Sequence, residues 1–179
     1  MNLPNKLTML RMILVPVLIV LLYFDHFYIG AAVFIVASFT DMLDGQIARK
    51  RNLITDFGKL MDPLADKLLV ISTLVCLVEF GTIPAWTLII ILAREFLVTG
   101  LRGVAASKGI VIAAGMSGKI KTVTQMIAIA LILLKNWPFS VLGIDVPVDL
   151  IIYYISIALT LYSGVEYMIQ NRKVFADSM

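Results

Sequence analysis

Four aspartates in the sequence are spaced so that helices would bring them together. Asp41 and Asp44 are three residues apart, and Asp62 and Asp66 are four residues apart. Residues at these spacings share one face of a helix. If the two helices are neighbours, the four carboxylates meet in a small volume, where bound cations must offset their repulsion. The pattern predicts a site for hard divalent cations, and two shared ions are the usual arrangement for displacement at phosphorus.

Small residues accompany the aspartates. Gly45 follows Asp44 directly, and Ala48 lies about one turn further on. Gly58 precedes Asp62 by about one turn. A missing side chain lets a ligand approach the backbone closely. Small residues also permit close packing between membrane helices, so both interpretations stay open for these positions.

The composition indicates that these helices lie in a membrane. Of 179 residues, 60% are hydrophobic and 15% are charged, whereas a soluble domain carries about 25% charged residues. Continuous apolar runs without period-two alternation favour helices over a barrel. We predict an all-α fold, a single membrane domain over residues 1–179 with six transmembrane helices and a short N-terminal amphipathic helix at the membrane surface. The amphipathic stretch is Asn2 to Arg11, and the apolar segments are 8–24, 28–47, 61–80, 85–106, 119–135 and 148–170.

The basic residues are distributed unevenly between the connectors. The first, third and fifth connectors contain a single basic residue, Lys135. The positive-inside rule therefore predicts that both termini and the aspartates lie on the cytoplasmic side of the membrane. The other fourteen basic residues lie at the termini, in the second and fourth connectors and at adjoining helix ends: Lys6, Arg11, Arg49, Lys50, Arg51, Lys59, Lys67, Arg94, Arg102, Lys108, Lys119, Lys121, Arg172 and Lys173.

Two of these cations, Arg94 and Arg102, fall inside the fourth apolar segment. A charge at that depth costs roughly 3 kcal/mol unless it meets a partner or a cavity. Arg94 and its neighbour Glu95 can partly neutralise each other. Because the planar guanidinium suits phosphate, we interpret the arginines as anion ligands.

The stretch around the aspartates resembles the complete signature of the CDP-alcohol phosphotransferases. All eight fixed positions agree, in the order Asp41-x2-Asp44-Gly45-x2-Ala48-Arg49-x8-Gly58-x3-Asp62-x3-Asp66. Within that family the chain most resembles the bacterial members that accept glycerol 3-phosphate. The segments that carry this narrower resemblance are less specific, and they span residues 2–8, 62–67, 94–102 and 118–122, with Arg11.

The resemblance implies a reaction and a set of roles. CDP-diacylglycerol is the implied donor, glycerol 3-phosphate the acceptor, and phosphatidylglycerophosphate and CMP the products. Asp66 is the implied general base. The implied metal ligands, for two Mg²⁺ or Mn²⁺ ions, are Asp41, Asp44, Asp62 and Asp66. The implied CDP-binding residues are Asp41, Asp44, Gly45, Ala48, Arg49, Gly58 and Asp62.

The acceptor carries a phosphate of its own, which needs cationic partners. We rank Arg94, Lys121 and Arg102 first among the candidates. The others are Arg11, Lys59 and Lys119, with Thr8 as a hydroxyl donor. The family resemblance also implies a homodimer in contact with membrane lipid, and we expect no nucleic-acid partner.

Two other functions are compatible with parts of this pattern. A transferase of the same family with another acceptor, such as inositol phosphate or serine, would share the aspartates. A cation transporter also carries acids inside the membrane, but it predicts them near mid-membrane and often on discontinuous helices. Here the acids cluster at one predicted membrane face beside Gly45 and Arg49, which favours the transferase.

Overall fold

The computed structural model describes the backbone of residues 3–50, 56–110, 112–113, 115–143 and 146–172. It also describes their side chains, apart from those of residues 3–6, 41–50, 56–60, 62, 63, 66 and 138. Within this part of the chain there are seven helices and no strand, which confirms the all-α prediction. The helices are α1 (Leu3–Tyr23), α2 (Phe27–Lys50), α3 (Asp56–Glu79), α4 (Ala85–Ser107), α5 (Met116–Leu133), α6 (Trp137–Ser140) and α7 (Val148–Gln170).

Each of the six predicted apolar segments coincides with a long helix, and two features differ from the prediction. The N-terminal stretch is not a separate surface helix, because α1 runs without a break from Leu3 to Tyr23. Thr8 and Arg11 on this stretch are buried, so packing holds it in the same helix as the apolar residues that follow. The second difference is the short helix α6, which lies within the fifth predicted connector.

The chain divides into two compact units. The first contains α1, α2 and α3 together with the chain from Ile129 to Val146, and the second contains the chain from Ile83 to Ala128 and from Pro147 onwards. The assignment of residues 1–179 to one functional domain stays a prediction.

The first unit is held together by α1, which packs against both α2 and α3, while α2 also contacts α3. Leu18 and Leu22 of α1 are buried in its core. Gly30 of α2 lies directly against them, since a Cβ atom built there would be 2.9 Å from Leu22 Cδ2. Glycine at this position therefore allows the first two helices to approach closely after a short connector.

Aromatic side chains bring three connectors to the same end of the first unit. The ring centroid of Phe80 lies 5.4 Å from that of Tyr23 and 5.8 Å from that of Phe27. Lys135 Nζ lies 4.4 Å from the centroid of Phe27, a cation–π contact. The first, third and fifth connectors thus meet, as expected for helices that cross a layer in alternate directions.

In the second unit α4 packs against α7. The buried residues of α4 recur at helical spacing and define one face: Thr87, Ile91, Val98, Leu101 and Ala105. The buried residues of α7 are Tyr153, Ser156, Ile157, Thr160, Ser163 and Tyr167. Three of them, Ser156, Thr160 and Ser163, carry small hydroxyl side chains. A buried hydrogen bond of 2.7 Å joins the Thr87 hydroxyl to the Tyr153 hydroxyl and links the two helices.

The outward faces of the helices are apolar, which indicates a membrane protein. Large hydrophobic side chains such as Ile13, Val36, Ile89, Phe96 and Leu161 are more than one-third exposed, and water would disfavour so much apolar surface. In the described residues, two helices are long and apolar enough to cross a membrane, Met116–Leu133 and Val148–Gln170. Shorter apolar helical stretches are Leu7–Tyr23 and Phe27–Thr40.

Candidate functional site

The helices that carry the four aspartates are continuous at the positions where the prediction needs them. Asp41 and Asp44 lie in the last part of α2, which runs from Phe27 to Lys50. Asp62 and Asp66 lie in the first part of α3. Both pairs therefore have helical spacing, and their helices are neighbours in the first unit.

The side chains that form the sequence signature lie outside the described residues. Among the side chains that are described, no group of three or more His, Cys, Asp or Glu residues could hold a metal ion. The predicted metal and nucleotide site therefore stays a prediction supported by helix register. The residues concerned are Asp41, Asp44, Gly45, Ala48, Arg49, Gly58, Asp62 and Asp66, together with the acceptor candidate Lys59.

A cavity of ≈ 470 Å³ lies within the second unit. Its cationic lining residues are Arg94, Arg102 and Lys119, three of the seven candidates for the acceptor phosphate. Its acidic lining residues are Glu95 and Glu166, so cations outnumber acids. The rest of the lining is small or polar for the most part, and consists of Gly115, Ser117, Gly118, Thr122, Val123, Ser163, Tyr167 and Gln170.

The carboxylate of Glu95 is shared by two cations. Arg94 Nη1 donates to Glu95 Oε1 at 3.0 Å, and Lys121 Nζ donates to the same oxygen at 2.8 Å. The side chains of Arg94, Glu95 and Lys121 are only 13%, 18% and 4% exposed, respectively. Such burial requires partners for each charge. The expected pairing of Arg94 with Glu95 is confirmed, and Lys121 joins it from α5.

Arg102 is held by α7. Its Nε donates to the Tyr167 hydroxyl at 3.1 Å, and its guanidinium carbon lies 5.6 Å from the centroid of the same ring. Tyr167 is itself buried, in a cluster with Val98 and Leu101. Tyr167 therefore contacts the guanidinium of Arg102, a residue that lines the cavity.

The remaining acceptor candidates occupy different places. Lys121 is not among the residues that line the cavity, and its buried ammonium group donates to Glu95, which does line it. Thr8 and Arg11 are buried on α1 in the first unit. The candidates that line the cavity are therefore Arg94, Arg102 and Lys119.

Sequence reasoning missed the contribution of α7 to the cavity. Ser163, Glu166 and Gln170 line it, and Gln170 Nε2 donates to Glu166 Oε1 at 3.1 Å. The other carboxylate oxygen, Glu166 Oε2, is buried and has no hydrogen-bond partner among the described residues. Glu166 could have been found from the sequence, because it is a charged residue inside an apolar segment, and the same criterion singled out Arg94.

The arrangement suits a small anionic ligand. Arginine presents several fixed N–H donors that match a phosphate, and lysine adds a flexible point charge. The carboxylate of Glu95 already engages Nη1 of Arg94, so the other guanidinium nitrogens are the ones left for a ligand. Hydroxyl groups from Ser117 and Thr122 add neutral partners to the lining.

Comparison with known proteins identifies the family of the chain. Residues 1–162 match the CDP-alcohol phosphatidyltransferase family. The chain belongs to this family. The resemblance first seen in the eight-position signature is thereby confirmed, and it extends over most of the chain, including the residues of α4 and α5 that line the cavity.

Several curated relatives align with this chain over nearly its whole length. A protein of Bacillus subtilis (strain 168) named CDP-diacylglycerol–glycerol-3-phosphate 3-phosphatidyltransferase is 45% identical over 192 residues, covering 99% of this chain and 98% of that protein. A protein of the same name from Rickettsia felis is 38% identical and covers 97% of each chain. A probable phosphatidylglycerophosphate synthase of Mycobacterium tuberculosis (strain ATCC 25618 / H37Rv) is 37% identical, covering 93% of this chain and 80% of that protein.

Replacing Glu95 tests whether its carboxylate neutralises the buried cations. We expect Glu95→Ala to lower the free energy of unfolding in detergent by about 2–3 kcal/mol, because Arg94 and Lys121 would both lose the carboxylate that they share in a buried position. Adding Lys121→Met should recover part of the loss. Glu79→Ala, at an exposed position at the end of α3, is the control and should change stability by less than about 0.5 kcal/mol. Equal effects of Glu95→Ala and Glu79→Ala would contradict the pairing.

Proposed function

We propose that the protein transfers the phosphatidyl group of CDP-diacylglycerol to glycerol 3-phosphate, giving phosphatidylglycerophosphate and CMP. The observation that carries the proposal is the near full-length match to transferases of that name, at up to 45% identity. The cavity of the second unit adds support, because its size and cationic lining suit a small phosphate ester.

The aspartates of α2 and α3 are the proposed metal ligands. Asp41, Asp44, Asp62 and Asp66 supply only carboxylate oxygens, the donors that Mg²⁺ and Mn²⁺ prefer, and helical spacing within each pair fits ligands shared by two ions. Bound ions would offset the charge of the pyrophosphate and of the departing CMP. Gly45, Ala48, Arg49 and Gly58 complete the proposed nucleotide site.

Asp66 is the proposed general base. Its carboxylate takes the proton from the acceptor hydroxyl, and the hydroxyl oxygen then forms a bond to the β-phosphorus of the donor. The bond from that phosphorus to the bridging oxygen of the pyrophosphate breaks, and CMP leaves with the electron pair. Asp66 lies one turn beyond Asp62 along α3, so the base and the nucleotide-binding aspartate share a face of the helix.

The phosphate of glycerol 3-phosphate is bound, in this proposal, by Arg94, Arg102 and Lys119. Two of these side chains are oriented by neighbours, Arg94 by Glu95 and Arg102 by Tyr167. Prior orientation reduces the entropy lost when a ligand binds. Positioning and electrostatic stabilisation then account for most of the rate increase in phosphoryl transfer.

The proposed setting is a six-helix arrangement in the bacterial inner membrane. The apolar outer faces and the meeting of the first, third and fifth connectors support alternate crossings. The positive-inside rule assigns both termini and the aspartates to the cytoplasmic side, where nucleotide and glycerol 3-phosphate are available. A homodimer with surrounding lipid belongs to the same proposal.

An acceptor screen tests the reaction itself. Purified protein in detergent with CDP-diacylglycerol and magnesium should transfer label to phosphatidylglycerophosphate from radioactive glycerol 3-phosphate. Inositol phosphate and serine should give product at background level. Removing divalent cations with a chelator should abolish turnover, and added Mg²⁺ or Mn²⁺ should restore it. A preference for either other acceptor would assign the chain a different reaction within the family.

The role of Asp66 predicts a folded but inactive variant. We expect Asp66→Asn to lower kcat at least about a thousandfold, because the amide neither accepts the proton nor binds cations well. Asp25→Asn, the same change in the first connector, should leave kcat within about twofold of the unchanged protein. Near-normal turnover by Asp66→Asn would exclude it as the base.

The role of Arg94 predicts a selective loss of acceptor affinity. We expect Arg94→Ala to raise the KM for glycerol 3-phosphate about 10–100-fold, which corresponds to one charge-assisted interaction, and to leave the KM for CDP-diacylglycerol within about twofold. Arg172→Ala, at an exposed site after α7, is the matched control. Equal rises in both KM values would argue against an acceptor site in the cavity.

A further inference from the structure

Two glycines from different helices lie against the side chain of Arg94. A Cβ atom built on Gly164 of α7 would be 3.1 Å from Arg94 Cγ and 4.0 Å from its Cβ. A Cβ atom built on Gly118 of α5 would be 3.1 Å from Arg94 Nη2. Ordinary van der Waals contact begins at 3.4 Å, so an added methyl group would displace the arginine at its stem or at its tip.

Backbone conformation does not explain either glycine. Both lie inside helices, and the glycines with positive φ are Gly81, Gly109 and Gly143. Glycine within a helix lowers its stability relative to alanine. The explanation therefore has to come from what the missing side chains make room for.

Helix register places Gly164 of α7 against Arg94 of α4. Arg94 follows Ile91 by three residues and precedes Val98 by four, which places it on the buried face of α4. Gly164 follows Thr160 by four residues on the buried face of α7, the helix that packs against α4. A long charged side chain thus emerges between two packed helices, where only a residue without a side chain leaves it space.

We propose that Gly164 and Gly118 are positioning residues that aim the guanidinium of Arg94 into the cavity. This inference rests on the proposed function, in which Arg94 binds the acceptor phosphate. Gly164 bounds the stem, Gly118 bounds Nη2, and Glu95 holds Nη1. Together they fix the plane of the guanidinium, on which hydrogen bonding to a phosphate depends.

The two glycines differ in how strongly they constrain the arginine. Nη2 is the end of a flexible side chain, so a methyl group at residue 118 can be accommodated by a small rotation. Cγ is close to the backbone, so a shift of a few tenths of an ångström at this atom moves the whole remainder of the side chain. A displacement at Cγ is also amplified along the side chain, so Gly164 has the larger effect on where the guanidinium lies.

Steady-state kinetics of alanine variants tests the proposal. We expect Gly164→Ala to raise the KM for glycerol 3-phosphate about tenfold and Gly118→Ala to raise it less. The KM for CDP-diacylglycerol should stay within about twofold in both variants. Gly103→Ala is the matched control, since a Cβ atom at this position in α4 meets nothing within 4 Å. An acceptor KM in Gly164→Ala equal to that of Gly103→Ala would overturn the proposal.

A double-variant cycle separates positioning from general helix packing. Arg94→Ala removes Cγ, so Gly164→Ala added to Arg94→Ala should raise the acceptor KM no further. A second rise of the same size as in the unchanged background would show that Gly164 acts without Arg94 and would overturn the proposal. If Gly164→Ala yields no folded protein, the same cycle with Gly118→Ala decides. Failure of the unchanged protein to transfer phosphatidyl groups would instead reject the proposed function.

Discussion

A charge buried between apolar helices must be partnered, and this constraint governs the second unit. Glu95 accepts hydrogen bonds from Arg94 and Lys121 through one oxygen atom, which ties α4 to α5. The two cations are thereby held beside the cavity that Arg94 and Glu95 line. In the proposed function, the pairing that joins the two helices also orients Arg94 toward the phosphate of the acceptor.

Helix register is the second condition on which the proposed chemistry depends. Asp41 and Asp44 share a face because α2 is helical through both positions and ends only at Lys50. Asp62 and Asp66 share a face because α3 already begins at Asp56. Insertion of one residue between Asp62 and Asp66 would rotate Asp66 by about 100° around the helix axis and separate its carboxylate from that of Asp62.

The predictable part of the structure is the part encoded locally. Continuous apolar runs located the six long helices, and the adjacent Arg94 and Glu95 could be paired from sequence because they are neighbours along the chain. The bond from Lys121 to Glu95 joins residues on different helices, and no spacing rule indicates it. The burial of Thr8 and Arg11, which makes the N-terminal stretch part of α1, is likewise a consequence of tertiary packing. The short helix α6 escaped detection because four residues carry too little periodic pattern.

The residues that identify the family are encoded locally, whereas the residues proposed to bind the acceptor come together only in the tertiary structure. The aspartate signature occupies two helices joined by a short connector, so its spacing is nearly fixed and can be recognised in the sequence alone. The cavity combines side chains from α4, α5 and α7 with the segment before α5, and their separations along the chain follow no common period. In the proposed function, selectivity for the acceptor depends on which cations reach this lining and which, like Lys121, donate to Glu95 instead. The proposed acceptor site is therefore defined by tertiary contacts, among them the contact of Gly164 with Arg94.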